Sequence, residues 1–443
     1  MGRSSHGEPD SIGGMNMNIL VIGLWHLGCV TAACLAQKHN VIGYDPNRQI
    51  VDDLKIGNPP IYEPYLAEAI VDAAARGSLS FTSDPSPAVQ NADVIYITFD
   101  TPVDKDDKID LSPVEQALSD ATPNMREEQL VIVSSQVPVG TCRRLHTKIS
   151  ATDKRVGFCY TPENLRLGTA IEAFMHPERI VFGVSNIQLQ RKLEDVFEGV
   201  SGERMYMSLE SAEMAKHAMN SYLALMISFS GEISNLCEQT GANAVQVMDA
   251  LRKERRVSPN APLSPGLGFG GGTLARDLQI LRGVGKEKGI ATPMLDATFN
   301  SNRERMDYVR QRLSFALGGL AGKEVAFFGL TYKPNTDTLR RSLALDVIDS
   351  MKSSGVHVRA YDPAIKSPVP SHPEVTICGS TSEAAAGADA IVITTAWEEF
   401  KQLDYSLLAA SMRQPVLIDA RNMLSPERLG GDIRYFGVGV AYG

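Results

Sequence analysis

The chain has few cysteines, no excess of basic charge and no long apolar run. Its six cysteines are scattered over 443 residues without a C-x-x-C pair, which indicates reduced thiols in a cytoplasmic protein. No apolar stretch is long enough to span a membrane, and no H-E-x-x-H or similar spacing predicts a metal site. The net charge of -9 gives no support for nucleic-acid binding or for an anionic membrane surface.

Length and pattern predict several domains. At 443 residues the chain is too long for one hydrophobic core. Residues 1–17 are polar, rich in Gly and Ser and without the apolar core of a secretory signal, so we expect a disordered tail there. The remainder divides by pattern into residues 18–205, 206–305 and 306–443.

Residues 18–205 alternate strand-like and helix-like segments. Asn18–Ile22 is a short apolar run, and a glycine turn with a helix-like stretch at Cys29–Gln37 follows it. The order strand, helix, strand is the opening of a parallel α/β sheet. Four further apolar runs predict more parallel strands: Asn40–Tyr44, Val94–Phe99, Leu130–Ser134 and Ile180–Val184.

Residues 206–305 are predicted to be helical. Within Ser211–Gly241, apolar residues recur every three or four positions, which predicts one long helix with Gly241 as its C-cap. The apolar positions are Met219, Tyr222, Met226, Phe229, Ile233 and Leu236. Such a helix is usually core or a dimer interface, and we expect a homodimer.

Residues 306–443 return to the α/β pattern. Strands are predicted at Glu324–Phe328, Val356–Tyr361, Ala390–Thr394 and Val416–Asp419. The fold class is therefore α/β, with two Rossmann-like doubly wound parallel-sheet domains joined by a helical middle domain.

The turn after the first strand has the form of a dinucleotide site. Gly23 and Gly28 occupy the first and last glycine positions of G-x-G-x-x-G. The first glycine permits the tight turn, and the last permits close packing of helix on strand. Trp25 replaces the middle glycine, so its ring must turn away or fill pyrophosphate space. Asp45 is placed to accept a hydrogen bond from a ribose 2′-hydroxyl. A carboxylate there disfavours the 2′-phosphate of NADP, so NAD is the expected cofactor. The alternative is a turn that binds nothing.

Several segments along the chain form one set. They are the loop Gly266–Asp277 and the segments Ile61–Pro64, Thr101-Pro102 with Asp110–Ser112, Val137–Thr141, Tyr160–Arg166, Tyr332–Asp337 and Asp419–Asn422. Together they resemble the UDP-glucose/GDP-mannose dehydrogenase family over residues 18–425. The resemblance implies NAD as cofactor, a nucleotide sugar as substrate and a role in supplying polysaccharide precursors.

The resemblance also implies catalytic roles. Lys216 and Asn220, four residues apart on the predicted helix, match the lysine and asparagine that point at the sugar carbon. Glu163 matches a glutamate assigned to acid–base work, and Asp277 is expected to act as a base or to orient a water. The alternatives are a solvated helix face for Lys216 and Asn220, a helix N-cap for Asp277 and a turn cap for Glu163.

Two sets of binding residues follow from the same resemblance. The cofactor set is Gly23, Leu24, Leu27, Gly28, Asp45, Thr101, Gln136 and Arg276. The substrate set is Glu163, Leu165, Lys216, Asn220, Arg256, Gly268, Phe269, Gly270, Gly271 and Lys333. Arg255 or Arg256 resembles an arginine that reaches across a dimer, although the charge run Lys253–Arg256 is as readily a plain surface. The glycine loop is alternatively a flexible linker.

The chain departs from the family at its nucleophile. Thr273 stands where the family has a cysteine that holds the half-oxidised sugar, and a threonine hydroxyl is far from ionising at neutral pH. Further departures are Gln136, Leu167, Arg276 and Arg341. Three hypotheses follow: a two-electron dehydrogenase, a four-electron dehydrogenase that uses a hydrated aldehyde, and a non-catalytic nucleotide-sugar-binding protein.

Overall fold

A computed structural model describes residues 16–102, 109–163, 165–270, 272–430 and 433–440. The greater part of the predicted tail, residues 1–15, and the predicted substrate residue Gly271 lie outside these ranges. The described residues confirm the predicted fold class, because they form two largely parallel sheets with a helical region between them in the sequence. The chain divides into two compact units, Met1–Lys216 and His217–Gly443. The predicted domain boundaries at residues 205 and 305 stay predictions.

The first unit is built on an eight-stranded sheet of order β3-β2-β1-β4-β5-β6-β7-β8 within the described residues. Its strands are β1 (Asn18–Ile22), β2 (Asn40–Tyr44), β3 (Leu79–Thr82), β4 (Val94–Ile97), β5 (Leu130–Val133), β6 (Gly157–Tyr160), β7 (Arg179–Val184) and β8 (Glu203–Ser208). Its helices are α1 (His26–Leu35), α2 (Arg48–Lys55), α3 (Leu66–Ala75), α4 (Ser86–Asn91), α5 (Ser112–Ala121), α6 (Thr141–Ser150), α7 (Ala170–Met175) and α8 (Gln190–Val196).

The central strands of this sheet are buried on both faces. Every residue of β4 and of β5 is buried, as a parallel sheet covered by helices on both sides requires. Two apolar clusters fill the two faces, one around Val21 and Tyr96 and the other around Ile95 and Val133. The carboxyl ends of the strands are thereby fixed in one row, where the loops that carry the candidate site begin.

One predicted parallel strand runs the other way. The segment Ile180–Val184 was expected to be parallel, but β7 pairs antiparallel with β6 and parallel with β8. The cause is the connection between β6 and β7, residues 161–178, which contains only the short helix α7. The connection begins and ends at the same edge of the sheet, so the chain re-enters the sheet in the opposite direction.

Helix α9 (Leu209–Thr240) contains the boundary between the two units. It ends at Gly241, whose φ of +77° confirms the predicted C-cap. The predicted apolar stripe lies largely outward, with Tyr222 62%, Phe229 44% and Leu236 58% exposed. The buried positions of α9 include many small or polar residues. They are Ala212, Glu213, Lys216, His217, Asn220, Ser221, Ala224, Ser228, Ser230, Ser234, Cys237 and Glu238.

The second unit continues with helices and a second sheet. Its helices are α10 (Ala244–Lys253), α11 (Thr273–Lys288), α12 (Pro293–Arg305), α13 (Tyr308–Leu317), α14 (Leu343–Met351), α15 (Thr381–Ala385) and α16 (Tyr405–Ser411). Its strands are β9 (Glu324–Phe328), β10 (His357–Tyr361), β11 (Thr376–Ile377), β12 (Ala390–Ile393), β13 (Val416–Asp419) and β14 (Arg434–Gly437). They pair in the order β11-β10-β9-β12-β13-β14, all parallel in the described residues.

Candidate active site

The turn between β1 and α1 has the close packing that the glycine pattern predicts. Gly23 has φ +97°, in the left-handed region, and its N–H donates to Tyr44 O at 2.9 Å. A Cβ on Gly28 would lie 1.7 Å from Gly23 O, so no side chain fits at that position. The turn lies where the strand order reverses between β2-β1 and β4-β5, which is where doubly wound sheets bind ligands.

Trp25, in the middle of the turn, is partly exposed. Its side chain is 44% exposed, and its backbone carbonyl accepts the N–H of Cys29 at 2.9 Å as α1 begins. Among the described residues, no side chain caps α1 and no acceptor meets the N–H groups of Trp25, His26 or Leu27. The positive end of the helix therefore remains available to an anionic diphosphate.

Asp45 lies directly after β2 and is 6% exposed. Its Oδ2 accepts the N–H of Leu24 at 2.9 Å, and its Oδ1 accepts the N–H of Asn47 at 2.9 Å. A carboxylate oxygen accepts more than one hydrogen bond, so this side chain has capacity left for a ribose hydroxyl. The turn, the open helix end and Asp45 together fit a dinucleotide.

Thr101 and Gln136 come together after strands β4 and β5. The Thr101 hydroxyl donates to Gln136 O at 2.8 Å, and Thr101 is buried. These two predicted cofactor residues are thus joined at the carboxyl edge of the first sheet. Arg276, the remaining predicted cofactor residue, belongs to α11 of the second unit, where it is partly buried.

Glu163, Leu165 and Lys216 also meet in the first unit. Lys216 Nζ donates to Glu163 O at 2.5 Å, and the Glu163 carboxylate accepts the N–H of Leu165 at 2.7 Å. Glu163, Leu165 and Leu27 line one small cavity of about 60 Å³. Lys216 is 8% exposed, which excludes the alternative of a solvated helix face for this lysine. The local bond to Leu165 gives Glu163 the turn-capping role as well.

In the second unit, Asn220 and Asp277 are brought together with a residue that the sequence did not single out. Asp277 Oδ1 lies 2.8 Å from His217 Nδ1, and Asp277 Oδ2 accepts a hydrogen bond from Asn220 Nδ2. All three side chains are buried. Asp277 lies inside α11, well after its first residue Thr273, so it is not a helix N-cap.

The glycine loop before α11 is held in place. Gly268 has φ +92°, and a Cβ there would lie 2.3 Å from Asn302 Oδ1. The Asn302 amide accepts the N–H of Phe269 at 2.9 Å and donates to Phe269 O at 3.1 Å. A Cβ on Gly270 would lie 2.8 Å from Leu343 Cγ. These contacts exclude a plain flexible linker at the described residues of the loop.

Three predicted residues lie nearer the surface. Thr273, the first residue of α11, is exposed. The Arg256 side chain is 87% exposed and pairs with Glu254 Oε1 at 2.9 Å. Lys333 is partly buried in the loop that follows β9, where its carbonyl accepts the Thr336 hydroxyl at 3.0 Å.

Glu63 is a second residue whose place in the site the sequence did not show. Its buried carboxylate accepts the N–H groups of Gly168 and Ala170, both at 2.9 Å, and lies 3.0 Å from His26 Nε2. It therefore joins the dinucleotide turn to the N-terminus of α7. The only sequence signal was the segment Ile61–Pro64 itself, since the partners of Glu63 lie far along the chain.

No cysteine of the chain is placed to act as a nucleophile. All six are buried: Cys29, Cys34, Cys142, Cys159, Cys237 and Cys378. Burial raises the pKa of Cys34 to about 12, and burial together with the Asp45 carboxylate raises the pKa of Cys29 to about 12. Burial and Glu213 hold the pKa of Cys142 well above its usual range. None of these three thiols ionises near neutral pH.

Comparison with known proteins matches three domains of one family in order along the chain. The NAD binding domain of the UDP-glucose/GDP-mannose dehydrogenase family matches residues 17–201, its central domain residues 210–304 and its UDP binding domain residues 326–426. The first of these matches identifies NAD as the cofactor.

Individual relatives match over nearly the full length. The UDP-glucose 6-dehydrogenase TuaD of Bacillus subtilis is 32% identical over 423 residues, covering 93% of this chain and 90% of TuaD. A UDP-glucose 6-dehydrogenase of Pseudomonas aeruginosa is 32% identical over 431 residues, covering 93% of this chain and 95% of that protein. The structure of a UDP-glucose dehydrogenase from Pyrobaculum islandicum has a TM-score of 0.88 at 32% identity, covering 97% of this chain and 99% of that one.

Proposed function

The chain belongs to the UDP-glucose/GDP-mannose dehydrogenase family, and we propose that it is an NAD-dependent dehydrogenase that oxidises its nucleotide sugar by two electrons. The substrate class is a UDP-glucose-like or GDP-mannose-like sugar. The names of the relatives and the matched UDP binding domain favour a UDP-sugar.

The observation that carries this proposal is the missing thiol. By the resemblance to the family, Thr273 matches the position of the nucleophilic cysteine, and all six cysteines of the chain are buried. Among the described residues, no group forms a hydrogen bond with the Thr273 hydroxyl that would remove its proton. A covalent adduct with the aldehyde therefore has no ionised nucleophile, and the aldehyde is free to leave after the first oxidation.

The first oxidation needs a proton acceptor and donors for the developing alkoxide. Lys216 supplies a buried positive charge and Asn220 an amide donor. Glu163 is the better base, because its carboxylate lines a cavity and is engaged by one donor among the described residues, whereas both oxygens of Asp277 are engaged. Hydride acceptance is the chemistry that bound NAD supplies, and the turn Gly23–Gly28 with Asp45 would hold it.

Product analysis tests the proposal. The wild-type protein is incubated with NAD and a panel of UDP- and GDP-sugars, and the products are weighed by mass spectrometry. We expect a product that has lost two hydrogens from one of the sugars. A uronic acid would show that the four-electron reaction proceeds without the thiol. No product from any sugar, with folded protein, would favour the non-catalytic hypothesis.

We also propose that the protein is a homodimer assembled through α9. A stripe of Tyr222, Phe229 and Leu236 is exposed along this helix, as an interface with a second copy requires. We expect Phe229→Glu to convert dimer to monomer in sedimentation analysis. Leu407→Glu is the matched control, because Leu407 is 68% exposed on α16. A monomeric wild-type protein would contradict the assembly.

A further inference from the structure

His217 is a fully buried histidine on α9. It follows Lys216 directly and precedes Asn220 by three residues, so it shares a helix face with Asn220. Its Nδ1 lies 2.8 Å from Asp277 Oδ1, and neither side chain has any exposed surface. A histidine and a carboxylate that are completely buried together need each other as hydrogen-bond partners.

The direction of the hydrogen bonds follows from the chemistry of the groups. An ionised Asp277 only accepts, so His217 carries a hydrogen on Nδ1 and donates it to Oδ1. Asn220 donates through Nδ2 to the other oxygen, Oδ2. Asp277 on α11 is thus held between two donors on α9, and each donor occupies a different oxygen.

We propose that His217 is a positioning residue of the active site, acting through Asp277 on Asn220. The inference rests on the proposed dehydrogenase function, in which the Asn220 amide meets the sugar. The bond from His217 fixes the rotation of the Asp277 carboxylate. The fixed carboxylate then holds Asn220 Nδ2. This bond determines the orientation of the Asn220 amide, and with it the direction of its carbonyl oxygen and of its second N–H.

Two other roles for His217 can be considered: a base that contacts the sugar, and a side chain that only fills space. A side chain with no exposed surface is not placed to contact the sugar itself, so His217 is not assigned as the base. Packing alone does not explain why residue 217 is a histidine. An apolar residue could fill the same space, but it would give Asp277 Oδ1 no hydrogen bond. The distinguishing feature is the single N–H aimed at Oδ1.

His217→Asn and His217→Leu distinguish the effect of losing the hydrogen bond from the effect of losing side-chain volume. Asn and Leu have the same branching, and each removes a similar part of the imidazole. Only His217→Asn keeps an N–H near the position of Nδ1. The measurements are kcat and KM for NADH formation from UDP-glucose, the KM for NAD, and the thermal unfolding midpoint of each variant.

We expect His217→Leu to lower kcat about ten- to hundredfold, the usual effect of losing a hydrogen bond to a charged group. The KM for NAD should not change. His217→Asn should keep kcat within about threefold of wild type. Equal loss of kcat in both variants, or no loss in either, would overturn the proposal, because neither result depends on the N–H.

Failure of the proposed function gives a different result. If the wild type forms no NADH with any sugar of the UDP- and GDP-sugar panel, the dehydrogenase proposal fails, and binding of UDP-glucose by calorimetry then decides the role of His217. Weaker binding by His217→Leu than by His217→Asn would support positioning through Asp277. Equal affinities in the two variants would overturn it.

Discussion

The first turns of the two sheets share one construction. Gly23 follows β1 directly and Gly329 follows β9 directly, with φ of +97° and +94°. Each glycine donates its N–H to the last residue of the neighbouring strand, to Tyr44 O at 2.9 Å in the first unit and to Tyr361 O at 2.8 Å in the second. The same strand–turn–strand geometry therefore occurs twice in the chain.

An aspartate follows the second strand in both units, but the surroundings differ. Asp45 accepts two backbone N–H groups and keeps a little exposure. Asp362 is completely buried and accepts five hydrogen bonds. The donors are the N–H groups of Leu330, Thr331 and Ala364, the Thr331 hydroxyl and the indole N–H of Trp397. With an indole N–H among its donors and no exposed surface, Asp362 is less accessible to a ligand than Asp45.

The helix that follows the turn also differs. In the first unit α1 begins at His26, so its N-terminus faces the turn, whereas in the second unit α14 begins only at Leu343. A diphosphate on the turn meets an open helix end only in the first unit. The turn that the two units share is therefore a structural element that does not by itself bind a dinucleotide. Binding of a dinucleotide depends on the helix start and on access to the aspartate.

The largest expected effect comes from Asp362→Ala. Removing this carboxylate breaks five hydrogen bonds that it accepts, and we expect a loss of about 3–5 kcal/mol in the free energy of unfolding. The KM for NAD should stay within about twofold, because the second turn does not hold the cofactor. Urea unfolding and steady-state kinetics measure the two effects. A large rise in the KM for NAD in a folded variant would contradict the statement that the second turn does not hold the cofactor.

Asp45→Ala should show the converse pattern. We expect the Kd for NAD to rise about ten- to hundredfold, since a carboxylate that accepts hydrogen bonds from the ribose is lost. The loss in stability should be about 1–2 kcal/mol, less than for Asp362→Ala, because fewer donors lose a partner. Calorimetric titration with NAD measures the affinity. An unchanged Kd would show that Asp45 only holds the turn.

The smallest effect concerns pH. Burial raises the pKa of Glu213 in the first unit and of Asp419 in the second. A raised pKa in the folded state means that the fold binds a proton more readily than the unfolded chain does. These groups therefore favour folding below their ordinary pKa, and this contribution is lost as pH rises through the raised value.

Glu213→Gln and Asp419→Asn test this pH dependence. We expect each variant to show a shallower decline of the urea midpoint than wild type as pH rises from the ordinary carboxyl range towards neutrality. The difference in slope between variant and wild type is the quantity to compare. Parallel curves would show that the two carboxyl groups do not contribute to the pH dependence.

The sequence predicted the continuous apolar strands well, because a buried parallel strand consists of apolar residues on both faces. β1, β2, β9 and β13 were predicted with the bounds that the structure gives. Strand β8 (Glu203–Ser208) was missed, since its residues alternate in burial and include two charges. The antiparallel direction of β7 depends on where its connection runs, which local sequence does not encode.

The candidate site was predicted in part for a similar reason. Motif positions such as Gly23, Gly28 and Asp45 carry their own local signal. His217 carries none, and Glu63 carries only its place in the segment Ile61–Pro64. Their partners Asp277 and Gly168 are distant in the sequence and become neighbours only in the fold. On α9, the buried positions within the chain include many polar residues, whereas half of the predicted apolar positions are exposed, so the helical pattern alone did not identify the buried face.

The count of NADH formed per nucleotide sugar consumed tests the central claim most directly, in wild type beside Thr273→Cys and Thr273→Ser. Restoring the thiol supplies the nucleophile that a second oxidation needs. The account predicts one NADH per sugar for wild type and for Thr273→Ser, and two for Thr273→Cys. Two NADH per sugar in the wild type would contradict the claim that the missing cysteine limits the reaction to two electrons.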